Sequence, residues 1–180
     1  MNIAIVTGAS SGMGREFVLQ LSGHVQVDEI WAVARRAANL EALKEETPIP
    51  VRSVVLDLLQ KESFAAFGQL LEAEKPNVKL LVNAAGFGKF GSFDKVSVED
   101  DCRMIDLNCK ALVVMTRLTL PYMAAGSHSC LVGFREVFLG HGQHFKGTLV
   151  HILHKLHIKG SFPCGSIGCP DAVDHLFVAV

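Results

Sequence analysis

Thr7-Gly8-Ala9-Ser10-Ser11-Gly12-Met13-Gly14 lies between an apolar tetrad, Ile3-Ala4-Ile5-Val6, and a segment carrying Met13, Phe17, Val18 and Leu21 at helical spacing. The tetrad reads as a short strand buried on both faces. The residues after Gly12 read as a helix with one apolar face. Three glycines at GxxxGxG spacing let the joining turn bend sharply and bring backbone close to a pyrophosphate. The helix start then offers free N–H groups and the positive end of its dipole to phosphate charge. A glycine-rich run by itself also fits an ordinary tight turn; its place after a strand and before a helix favours the nucleotide reading. The candidate cofactor contacts here are Thr7, Gly8, Ser10, Ser11, Gly12, Met13 and Gly14.

The chain continues in alternation. Ile30-Trp31-Ala32-Val33 is a second strand, and Leu40, Leu43 and Lys44 belong to a short helix that stops before Pro48 and Pro50. Val51 to Leu56 is a third strand, Phe64, Phe67, Leu70 and Leu71 mark a helix, and Lys79 to Val82 is a fourth strand. Met104, Leu107, Ala111, Met115 and Leu118 predict one long helix ending near Pro121, with a fifth strand to follow. This order predicts an α/β domain, a doubly wound parallel sheet covered on both faces. Right-handed crossovers place the first strands together in its middle.

In such a sheet, ligands lie at the carboxyl ends of the strands. Arg35-Arg36 follow the second strand, about 20 residues past the glycine loop, where the adenosine ribose is read. An acid there would bond a 2′-hydroxyl and favour NAD. Two arginines suit a 2′-phosphate and so NADP, through charge-assisted bonds, although a solvated surface pair is the plainer alternative. Arg15 is expected to add positive charge nearby. Asp57-Leu58 closes the third strand on the ligand side, and Asn83-Ala84-Ala85-Gly86 closes the fourth, where small residues admit a cofactor.

These motifs resemble those of the short-chain dehydrogenase/reductase family over residues 1–127. TGASSGMG resembles that family's TGxxxGxG loop, NAAG its NNAG with Ala84 replacing the second Asn, and Asp57-Leu58 its adenine-contacting pair. Asn108, in Asp106-Leu107-Asn108-Cys109, resembles the helix Asn of its catalytic tetrad. The resemblance implies a Rossmann-type fold, an NADP(H) cofactor, a small-molecule carbonyl or alcohol substrate, and hydride transfer between the two.

It also implies a Tyr to protonate the alkoxide, a Lys four residues on that lowers the phenol's pKa, and a Ser on the preceding strand. The chain has one Tyr, Tyr122, and the residue four further on is Gly126. The Ser would fall near residue 135, in Gly133-Phe134-Arg135-Glu136. Of the four groups, only Asn108 has a counterpart. His151 and Lys155 have HxxxK spacing, and an imidazole donates protons near neutral pH. Chance accounts for that spacing more readily, in a segment so rich in His.

The composition bounds the rest. At 49% hydrophobic and 19% charged over 180 residues, the chain folds as one ordinary domain and is not disordered overall. A net charge of -1 gives no basic field for nucleic acid or an anionic membrane. No apolar run spans a bilayer, no signal peptide opens the sequence, and five Cys form no CxxC pair, so a reducing cytoplasm is the expected setting. Residues 1–127, the expected cofactor domain, hold 13 of 17 basic and 15 of 18 acidic groups, whereas 128–180 holds seven of the eight His. That shift predicts an atypical tail on a truncated family domain, as a frameshifted gene would produce. A well-folded tail would instead suit a non-catalytic NADP-binding or redox-sensing module. His151, His154, Cys164 and Cys169 raise a zinc-stabilised variant, but without paired short spacings the expectation is no metal.

Overall fold

The computed structural model describes residues 1–89, 95–132 and 177–179. Six parallel strands form one sheet in the order β3-β2-β1-β4-β5-β6. They are β1 Asn2–Thr7, β2 Glu29–Ala34, β3 Val51–Val55, β4 Asn77–Asn83, β5 His128–Val132 and β6 Phe177–Ala179. Helices α1 Gly12–Gln20, α2 Ala37–Glu46, α3 Lys61–Glu74, α4 Val98–Ile105 and α5 Leu112–Thr119 connect the first five. Strand order reverses direction at β1, so the carboxyl ends of β1 and β4 flank a crevice at the topological switch point. Among the described residues no helix is long and apolar enough to cross a membrane.

Alternation along β1 builds two cores at once. Ala4 and Val6 pack with Val18, Leu21, Ile30, Ala32, Leu40 and Leu43 on the α1–α2 face. Ile3 and Ile5 pack with Trp31, Val33, Phe67, Leu71, Leu81 and Met115 on the α3–α5 face. Each such aliphatic side chain, fully buried, contributes roughly 1.5–3 kcal/mol, so the sandwiching of β1 is the main apolar stabilisation. Strand β4 breaks its period of two. Ile3 pairs with Val78 but Ala4 with Leu80, so Lys79 is an extra residue in the ladder. That bulge lets Val78 and Leu81 face one core while Leu80 and Val82 face the other.

The long helix expected over the second half is interrupted. It starts at α4, where the Ser97 hydroxyl accepts from the Asp100 amide at 3.1 Å and Glu99, Asp100 and Asp101 complement the dipole. Asp106–Ala111 then adopts a π-helical turn before α5 continues. One extra residue per turn there rotates Asn108 relative to a regular helix. Strand β5 begins at His128, where the composition shifts, and pairs with β4 from Leu80↔His128 to Asn83↔Leu131.

Candidate cofactor site

A cleft of about 370 Å³ opens along the carboxyl edge of β1 to β4. Gly8, Ser10, Ser11, Gly12 and Met13 line it from the glycine loop, and Arg35 and Arg36 from the end of β2. Asp57 and Leu58 follow β3, and Ala84, Ala85 and Gly86 follow β4. The structure thus brings together residues from four separated motifs, though not every residue expected. Sequence reasoning missed Val33, Ala34, Leu56 and Leu107, which also line the cleft. The first three were legible as the last residues of strands leading into it.

The three glycines have different reasons to be glycine. A Cβ on Gly8 would stand 2.7 Å from the Ala84 carbonyl oxygen, so Gly8 lets the β1 loop touch the β4 loop. A Cβ on Gly14 would stand 2.5 Å from the Gly8 carbonyl oxygen, so Gly14 lets α1 close onto its own loop. Gly12 has φ +55°, a left-handed conformation, and nothing lies within 4 Å of where its Cβ would be. Of the three, it is Gly12 that leaves open space at the mouth of the helix.

Positive charge at the β2 end of the cleft comes from Arg35 and Arg36, just before α2. The Arg36 Nε and Nη2 donate to the Ser10 Oγ at 3.2 and 3.1 Å, and Nη2 also donates to the Ser11 Oγ. Arg35 is exposed beside it. The expected contribution of Arg15 is not there. Its guanidinium is paired with Glu46 and lies 3.7 Å from Glu16, which neutralises it, and it does not line the cleft.

Three expected contacts, Thr7, Gly14 and Asn83, do not line the cleft; Gly14 instead packs α1 onto its loop. Thr7 is buried, and its hydroxyl accepts from the Ala84 and Ala85 amides at 3.1 and 3.0 Å. It fastens the β1 and β4 loops together beneath the cleft. Asn83 is buried too, and its Nδ2 donates to the Thr116 hydroxyl at 3.1 Å, facing α5. Asp57 does line the cleft; its Oδ1 accepts from the Leu59 amide at 3.1 Å and holds the turn after β3.

Asn108 does not line the cleft, although its neighbour Leu107 does; it uses both ends of its amide on one residue. Its Oδ1 accepts from the Phe87 amide at 3.0 Å and its Nδ2 donates to the Phe87 carbonyl at 2.9 Å. It therefore fixes the segment after β4. Tyr122 is remote from the cleft; its hydroxyl donates to Glu72 Oε2 at 3.1 Å. Partial burial, then the Glu72 carboxylate, pushes its pKa up, the opposite of what a proton-exchanging phenol needs. Arg135, His151, Lys155, His154, Cys164 and Cys169 lie outside the described residues. Among the described residues no three His, Cys, Asp or Glu side chains cluster as a metal site would.

The family profile described as short chain dehydrogenase matches residues 2–133, which contain the whole of this cleft. The chain belongs to the short-chain dehydrogenase family. The NADP-dependent 3-hydroxy acid dehydrogenase YdfG of Escherichia coli K12 is 36% identical over 135 residues, covering 72% of this chain and 52% of that protein. Among solved structures, serine dehydrogenase from Escherichia coli matches with a TM-score of 0.58 at 33% identity, covering 74% of this chain and 62% of the other. A short-chain dehydrogenase from Sphingobium yanoikuyae in complex with NADPH matches with a TM-score of 0.63 at 25% identity, covering 74% and 54%. The chain thus spans about half the length of the curated relatives it matches.

Proposed function

We propose that this chain binds NADP(H) in the cleft and does so without turnover of its own. The observation that carries the binding is the Arg36 guanidinium spread over Ser10, next to a Gly12 that faces open space. Both fit a dinucleotide. The open mouth of α1 accommodates a pyrophosphate, and a guanidinium fork with two hydroxyls beside it matches a 2′-phosphate. Arg35 and Arg36 would hold that phosphate, Ser11, Gly12 and Met13 the pyrophosphate, and Asp57 and Leu58 the adenine. Ala84 to Gly86 would leave room for the ribose on the far side. That related proteins are named NADP-dependent or were solved with NADPH supports the same reading.

When bound, this cofactor supplies a hydride to a carbonyl or accepts one from an alcohol. The chain's part is to hold the ring and to move the accompanying proton. Asn108 fixes the segment after β4 through Phe87, and that segment would flank the bound cofactor. Among the described residues no tyrosine reaches the cleft to carry that proton, because Tyr122, the sole Tyr of the sequence, is bonded to Glu72 and does not line it. General acid catalysis typically contributes about 10²–10⁴-fold, and a cleft without such a group forgoes that factor. This favours a role in binding the cofactor, as a non-catalytic module, over reduction of a substrate.

The test has two parts. Calorimetric titration of the full chain with NADPH and NADH should give tighter binding of NADPH. A panel of ketones and aldehydes should show no NADPH oxidation above the no-enzyme rate. Equal affinity for both cofactors overturns the binding assignment, and turnover at an ordinary enzyme rate overturns the second.

A further inference from the structure

The loop residue Ser10 is held at two points by one turn of one helix. Its side chain accepts from Arg36, the residue that caps α2, and its main-chain carbonyl accepts from the Asn39 Nδ2 at 2.9 Å. Arg36 and Asn39 are three apart, so they lie on the same side of that first turn. Ser10 is itself buried, at 7% exposure, in a loop whose backbone has few regular partners. Its neighbours are held from other directions. The Ala9 amide donates to the Val33 carbonyl at 3.4 Å, a long contact, and the Ser11 carbonyl accepts from the Arg15 amide as α1 begins. A buried carbonyl in such a loop needs a partner, and without one the peptide turns toward water. Asn39 supplies the partner from 29 residues away.

We infer that Asn39 is a positioning residue for recognition of the 2′-phosphate. By fixing the Ser10 carbonyl it fixes the direction of the Ser10 hydroxyl, and that hydroxyl sets where the Arg36 guanidinium rests. Asn39 does not itself line the cleft. Its effect therefore falls on discrimination between the phosphorylated and unphosphorylated dinucleotide, and not on nucleotide binding in general. The inference rests on the cofactor reading given above.

The experiment measures Kd for NADPH and NADH by calorimetry in the full chain, in Asn39→Ala, and in Asn39→Asp, which keeps the shape and removes the donor. It repeats Asn39→Ala in an Arg36→Ala background. The wild type should prefer NADPH. Asn39→Ala should weaken NADPH by about 3- to 10-fold, the range one neutral hydrogen bond carries, and shift NADH by less than about twofold. Asn39→Asp should lose at least as much, because its carboxylate would face the Ser10 carbonyl. In the Arg36→Ala background the Asn39 substitution should have no further effect, since coupled residues are non-additive. A loss shared equally by both cofactors, an unchanged preference in a folded variant, or full additivity with Arg36→Ala overturns the inference and leaves the cofactor site standing. A wild type without preference overturns both.

Discussion

Along the carboxyl edge of the sheet, the β1–β2 side and the β4–α5 side spend their polar groups in opposite ways. On the first, Arg35, Arg36, Ser11 and Gly12 line the cleft, and Arg36 is bonded to its surroundings through the Ser10 and Ser11 hydroxyls. On the second, the Asn108 amide is engaged with Phe87 and the Thr116 hydroxyl donates to the Leu112 carbonyl. One side is arranged to receive charge and the other to hold its own backbone. Under the proposed function, substitutions on the two sides should therefore behave differently.

The sharpest way to break the contrast is inside the glycine loop. Gly14→Ala forces a Cβ to within 2.5 Å of the Gly8 carbonyl, where only backbone can yield. It should cost about 3 kcal/mol of stability, lowering Tm by roughly 10 °C, and abolish NADPH binding. Gly12→Ala meets only a left-handed φ of +55° and open space. It should cost about 1 kcal/mol of stability and act mainly on binding. Thermal melts of both variants decide it: equal losses of Tm would mean that the two glycines do not have the separate roles assigned to them.

Next in size is the charged end. Arg36→Ala should remove about 1.5–3 kcal/mol of NADPH affinity, the value of a hydrogen bond to a charged group. NADH affinity and thermal stability should change little, because Arg36 is exposed and, among the described residues, its guanidinium bonds the two serine hydroxyls. Titration of both cofactors tests this, and a matching loss of NADH affinity would place Arg36 away from the 2′-phosphate.

Much of the receiving side was legible in the sequence because its chemistry follows spacing. Glycines between a strand and a helix, and arginines at the end of the next strand, need only chain order to be placed. The misplaced residues depend on neighbours that spacing does not report. Thr7 sits in the loop motif, yet its direction is set by β4, whose register is shifted by the bulge at Lys79. The π-helical turn at Asp106–Ala111 is invisible in the apolar spacing, because Leu107, Ala111 and Met115 suit a regular helix equally well. Arg15 reads as a free charge until the fold brings Glu46 beside it from 31 residues away. Asn39 has no motif at all; only the first turn of α2 lying against the loop reveals it.

On the holding side, Asn108→Ala should leave the Phe87 amide and carbonyl without their partner. That should cost about 1–3 kcal/mol in urea unfolding. NADPH affinity should fall by less than about threefold, since the adenosine end is untouched. A loss of affinity as large as that of Arg36→Ala would show that the two sides of the cleft are coupled.

The smallest effect belongs to Tyr122. If the phenol served as the acid of a reduction, Tyr122→Phe would remove the reaction. If it is a surface tether to Glu72, the substitution should leave NADPH oxidation at background and shift Tm by no more than about 2 °C. Its pH dependence separates the two roles further. Burial and Glu72 raise the folded-state pKa above that of an unfolded tyrosine, about 10. The stabilisation this represents is fully present below that unfolded value and is lost as pH rises through the folded one. The wild type should therefore melt at or slightly above Tyr122→Phe at pH 7, and its advantage should disappear in melts above the folded pKa. An advantage that grew with pH would mean that the ionised phenol is the favoured form in the fold, as a catalytic tyrosine requires and a tether to a carboxylate does not.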